Sequence, residues 1–137
     1  MKLVAIESPY AATNPAMLTF HKAYLRACLR DSVLRGEAPY ASHAYLCDAL
    51  DDRYSSERHM GLAVGAAWTS RADLRAFYID LGMSNGMRLA LAAYRSSGVS
   101  FVLRRLSGND KWITVYTMLT SPMLTSPMEP ISEDCDD

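Results

Sequence analysis

A short apolar run, a polar stop, a helix cap and a long amphipathic stretch recur in that order along the first hundred residues, and this alternation limits what the chain can fold into. Residues 3–6, Leu-Val-Ala-Ile, read as a buried strand that Glu7-Ser8-Pro9 ends, because proline removes a backbone donor. Asn14-Pro15 then gives an N-cap with proline at the first helical position. Over residues 16–34, Phe20, Tyr24, Ala27, Cys28 and Leu34 recur at three- and four-residue spacing, while His21, Lys22, Arg26, Arg30 and Asp31 occupy other faces. Gly36 stops this helix. Residues 38–46 read as a second strand, 48–53 as a polar loop and 57–70 as a second helix with Gly61 and Gly65 four apart. Residues 76–79 give a third strand, Ser84-Asn85-Gly86 a tight turn, 87–94 a third helix and 100–106 a fourth strand. The order β-α-β-α-β-α-β predicts an α/β fold: a mainly parallel sheet with right-handed crossovers and helices on both faces.

A further strand is expected over residues 111–119, closing one domain at residues 1–119. Beyond it, Met-Leu-Thr-Ser-Pro occurs twice in succession and an acidic end follows, so 120–137 is expected to be a mobile or partner-bound tail. The chain has 137 residues, enough for one packed core, and 14 basic against 15 acidic residues leave no field to gather nucleic acid or anionic lipid. Three cysteines, Cys28, Cys47 and Cys135, are odd in number and share no C-x-x-C spacing, which fits a reducing cytoplasm. The amino-terminal apolar run is too short for a signal peptide and no stretch reaches spanning length, so neither export nor a membrane partner is expected.

In an open parallel sheet the ligand crevice lies beyond the carboxyl ends of the strands. That rule selects residues 7–10, Ser42-His43 with residues 48–52, residues 80–87, and Arg104-Arg105. The Ser84-Asn85-Gly86 turn opens a helix, whose dipole and amides suit an anion, or it is simply a cap. Glu7, Asp52, Glu57 and Asp80 are the candidate acids, bases or nucleophiles, with Glu7 and Asp80 directly after apolar strands. Glu57 reads equally as a first-turn residue favoured by the helix dipole, and Asp51-Asp52 as a solvated loop. His43 falls in the second strand, and His21 and His59 are expected at the surface; none has the neighbours that a metal site needs, and no cofactor is expected. No G-x-S-x-G elbow, G-x-G-x-x-G fingerprint or Walker A loop is present.

Glu7-Ser8-Pro9-Tyr10, the segment from Arg35 through His43, Glu57-Arg58 with Gly61, and Asp80-Leu81-Gly82-Met83-Ser84-Asn85-Gly86-Met87 together resemble the nucleoside 2-deoxyribosyltransferase-like superfamily, closest to its uncharacterised, often phage-encoded relatives. The resemblance covers about residues 3–106 and implies a flavodoxin-like or Rossmann-like sheet that binds a nucleoside or nucleotide at its carboxyl edge, often as a homo-oligomer. In the transferases a glutamate directly after the Gly-Met pair attacks the anomeric carbon; Arg88 stands there in this chain. A guanidinium suits a phosphate, so the ligand expected is a nucleotide or nucleotide derivative. Ser8, Pro9, Tyr10, His43, Ser84, Asn85, Gly86, Met87 and Arg88 are the expected ligand contacts. An N-glycosidic hydrolase or transferase would use Glu7 or Glu57 as the carboxylate, with Asp80 orienting the sugar. A sequestering or sensing protein would use the same pocket without turnover, and a purely partner-binding protein would lack it.

Overall fold

The computed structural model describes residues 1–106. Four strands, β1 (Leu3–Glu7), β2 (Ala38–Tyr40), β3 (Leu74–Tyr78) and β4 (Phe101–Arg104), form one all-parallel sheet in the order β2-β1-β3-β4. Helices α1 (Pro15–Leu34), α3 (Ser55–Thr69) and α4 (Asn85–Ser97) make the crossovers; a 3-10 turn over Ser42–Ala44 and a short helix α2 (Leu46–Ala49) follow β2. This is a Rossmann-like, flavodoxin-like α/β arrangement. No helix among the described residues is long and apolar enough to cross a membrane.

Right-handed crossovers put α1 on one face of the sheet and α3 and α4 on the other. Alternation along the strands agrees: Val4, Ile6, Ala76 and Tyr78 pack with Tyr24, Leu25 and Cys28 of α1, whereas Phe77 packs with Met87 and Leu91 of α4. Tyr40 lies in register with Ala5, on that second face, and its ring meets Trp68 of α3 at 5.5 Å. The chain leaves β1 in one direction and β3 in the other, which opens a crevice where the carboxyl ends of these two central strands adjoin.

The expected helix signals are realised. The Asn14 side chain accepts the Met17 N–H at 2.8 Å with Pro15 at the first position, Ser84 Oγ accepts the Met87 N–H at 3.3 Å, and Gly98 ends α4 at φ 70°.

Three expectations need correction. The second strand stops at Tyr40 instead of residue 46, because residues 41–50 hold three alanines, two leucines and no β-branched residue, and their backbone closes helical turns such as Leu50 N–H to Leu46 O at 2.8 Å. His43 therefore stands on the 3-10 turn. On α1 the buried stripe is His21, Tyr24, Leu25, Cys28 and Ser32, so His21 is in the core rather than at the surface, and Leu34, expected on the apolar face, is exposed. Both polar members of the stripe are tied down: the His21 Nδ1–H donates to the Tyr10 carbonyl at 3.0 Å, and the Ser32 hydroxyl to Glu37 at 2.7 Å. The strand expected over 111–119 and the tail 120–137 lie outside the described residues.

Candidate functional site

The β1 strand ends at the crevice, and Pro9 turns the chain there so that Ser8, Pro9 and Tyr10 lie between β1 and α1. Ser8 and Pro9 are buried. Ser8 Oγ lies 2.9 Å from His43 Nε2. Burial pushes the His43 imidazole down to about 4, so it is neutral at pH 7. The Tyr10 ring meets His43 edge-on at 5.5 Å, and its hydroxyl donates to Asp48 at 3.3 Å. Lys22 on α1 reaches the same Asp48 oxygen at 2.9 Å, and its ammonium holds the Asp48 carboxyl below the usual range. Tyr10, Lys22, Arg26, Leu29, Ala44 and Asp48 border a shallow cleft of about 300 Å³. That volume is at the small end for a small-molecule site.

Glu7, one residue earlier, points to the opposite face. It is mostly buried, and the Tyr94 hydroxyl of α4 donates to its Oε1 at 3.4 Å, a long bond. Desolvation raises the Glu7 carboxyl to about 7, against which the Tyr94 bond acts only weakly. A carboxyl poised at neutrality can take up or release a proton near pH 7, which is what a general acid or base requires.

Of the other candidate carboxylates, Asp80 and Glu57 are already engaged. Asp80 accepts the Tyr24 hydroxyl at 2.6 Å and the Leu106 N–H at 3.1 Å, so it pins the chain after β4 to the end of β3. Glu57 accepts the Asp51 N–H at 2.7 Å and closes the loop before α3. Asp52 is exposed. Arg104, at the last edge position read from the sequence, is held in a two-pronged pair with Glu37 at 2.7 Å for each prong.

At the start of α4, Ser84 is half-buried and Asn85, Gly86 and Arg88 are exposed at the crevice. The Arg88 Nε–H donates to the Met83 carbonyl at 3.3 Å. Met87 differs from its neighbours: its side chain is in the core with Phe77 and Leu91, so only its backbone belongs to the edge. Among the described residues no group of three or more His, Cys, Asp or Glu side chains is placed to hold a metal ion.

The structure thus brings Ser8, Tyr10 and His43 together with Asp48, which the sequence reading placed at the crevice within residues 48–52, and adds Lys22 and Arg26, which it left out of the site. A usable signal existed for the two cations. A helix that follows a parallel strand starts beside that strand's carboxyl end, so basic residues in its first three turns are neighbours of the crevice. Tyr94, 87 positions from Glu7, left no local signal.

No curated protein and no solved structure matches the chain. Residues 2–104, which include every strand and helix described above, match the family described as a domain of unknown function, DUF7768, and the chain belongs to that family.

Proposed function

We propose that the carboxyl edge of the sheet binds a nucleotide or nucleotide derivative. The cleft at the end of β1 carries this reading, because it combines an aromatic ring, Tyr10, with two cations, Lys22 and Arg26, beside the carboxylate of Asp48. A base or sugar against the ring and a phosphate against the cations use each of these groups for what its chemistry favours. Arg88, exposed at the first turn of α4, offers a second guanidinium on the same edge. The resemblance to deoxyribosyltransferase-like proteins supports the same ligand class.

Calorimetry with nucleosides, nucleoside monophosphates and NAD-derived nucleotides tests the reading. The expected result is a phosphorylated ligand preferred over its nucleoside. One charge-assisted phosphate contact removed costs about 1.5–3 kcal/mol, so Arg26→Ala or Arg88→Ala lowers that preference roughly tenfold or more. Loss in Arg26→Ala places the phosphate beside α1, and loss in Arg88→Ala places it at α4. Equal affinity for phosphorylated and unphosphorylated forms contradicts the proposal.

Glu7 favours a second reading, in which the bound nucleotide is cleaved or transferred at its N-glycosidic bond. Glu7 is the mostly buried candidate carboxyl that no short hydrogen bond fixes among the described residues, and its proton is balanced near pH 7. Release of free base, followed by chromatography, falls at least ~10²-fold in Glu7→Gln if this carboxyl acts. A ligand that binds and is never consumed leaves sequestration or sensing as the function.

A further inference from the structure

The groups that border the cleft at the end of β1 stand in a fixed order. Asp48 Oδ1 accepts the Tyr10 hydroxyl at 3.3 Å and the Lys22 ammonium at 2.9 Å, so the acid is tied between the aromatic residue and the first cation. Those two bonds fill the acceptor positions of that oxygen. Asp48 Oδ2 accepts no hydrogen bond among the described residues, although the carboxylate borders the cleft. Lys22 is committed to Asp48, whereas Arg26, one turn further along α1, has no hydrogen bond or ion pair among the described residues and is the free cation of the cleft.

A ribonucleotide carries its parts in the same order. The base is its flat end, the phosphate its charged end, and the sugar between them bears hydroxyl groups that donate. A base against the Tyr10 ring and a phosphate against Arg26 bring the sugar beside Asp48. An ionised carboxylate only accepts, so what it takes from a ligand is a hydrogen donor, and the Lys22 ammonium holds Asp48 ionised. The unused oxygen offers two acceptor positions, and the vicinal 2′- and 3′-hydroxyls of a ribose offer two donors. Open parallel sheets that bind dinucleotides use an acidic side chain in this way, on a ribose hydroxyl.

We infer that Asp48 selects the sugar: its Oδ2 accepts the ribose hydroxyls, and the ligand is a ribonucleotide rather than a 2′-deoxyribonucleotide. The inference rests on the nucleotide reading and narrows it. It also departs from what the resemblance to deoxyribosyltransferase-like proteins implies, since a 2-deoxyribosyl group lacks one of the two donors. In the free protein the Asp48 side chain is 58% exposed and therefore solvated. A ribose hydroxyl replaces a water on Oδ2 bond for bond, whereas the methylene of a deoxy sugar displaces it and returns nothing.

Calorimetry on the full-length chain tests it, with the adenosine, guanosine, cytidine and uridine 5′-monophosphates each set beside its 2′-deoxy and 2′-O-methyl forms. The expected result is binding of the ribo form about tenfold or more tighter than the deoxy form. The 2′-O-methyl form, which keeps the oxygen and lacks the donor, is as weak as the deoxy form. In Asp48→Ala, whose fold circular dichroism checks, the ribo and deoxy affinities come within about threefold of each other. The preference for a monophosphate over its nucleoside persists in that variant or rises, because Arg26 stays and Lys22 is released. Ribo and deoxy forms that bind alike, while the phosphorylated ligand is still preferred, overturn this inference and leave the nucleotide reading standing. A ribo preference that survives Asp48→Ala, or discrimination that follows the base and not the 2′-hydroxyl, overturns the role of Asp48. Binding of no member of the panel removes the nucleotide reading and this inference with it.

Discussion

At pH 8 the Glu7→Gln variant unfolds at a higher temperature than the wild type, and at pH 4 the two unfold together. Glu7 titrates near 4.5 when unfolded and near 7 when folded, because burial costs the ionised form its hydration. Between those values the folded protein holds a proton that the unfolded chain has released. Stability therefore falls as pH rises from about 4.5 to 7 and is level above that, by up to about 3 kcal/mol for this one group. Glutamine keeps the shape and cannot ionise, so it removes the whole penalty. His43 acts in the other direction: its imidazole, lowered to about 4, costs stability as pH falls from 6.5. Thermal melts at both pH values check the account, and an equal difference between variant and wild type at pH 4 and pH 8 rules out a titrating Glu7.

Glu37→Ala costs about 3 kcal/mol, the largest loss expected from one side chain outside the apolar core. Arg104 and Glu37 are only 11% and 12% exposed, and their paired bonds at 2.7 Å tie the end of β4 to the start of β2. Removing the acid leaves a guanidinium with little access to water, and it also strips the Ser32 hydroxyl of its acceptor on α1. The Tyr78 hydroxyl, which donates to Asp31 at 2.7 Å, keeps its own partner, so the damage stays local. Replacing both members of the pair, Glu37→Leu with Arg104→Met, restores much of the loss, because neither charge is then stranded. Urea denaturation of the singles and the double gives the comparison. A Glu37→Ala loss below about 0.5 kcal/mol, or a double variant weaker than either single, contradicts this picture of the pair.

What the sequence disclosed follows from the range of each interaction. Caps and stops act within four residues, so Asn14-Pro15, Gly36, Ser84 and Gly98 placed the ends of α1 and α4 closely. The alternation of strand and helix was enough for the parallel sheet. Residues 41–46 misled because an apolar run without β-branched residues satisfies a strand pattern yet prefers helical turns, and a three-residue edge strand has too few ladder bonds to resist. His21 misled because its burial depends on the Tyr10 carbonyl, a partner that only the folded β1–α1 loop presents. At the site, Ser8, Tyr10 and His43 were named one by one, but their meeting across 35 positions, and that of Glu7 with Tyr94, arises from the register of β1 with its neighbours.

The location of the ligand is the central claim, and an NMR titration reads it directly. Isotope-labelled protein is titrated with the nucleoside monophosphate that calorimetry ranks first. The account predicts that the amide shifts which change are those of residues 7–10, of His43 and its neighbours, of Lys22 and Arg26, and of residues 84–88, all at the carboxyl edge of the sheet. Shift changes confined to the opposite, amino-terminal edge of the strands or to the outer face of α3, or none at millimolar ligand across the whole panel, would contradict it.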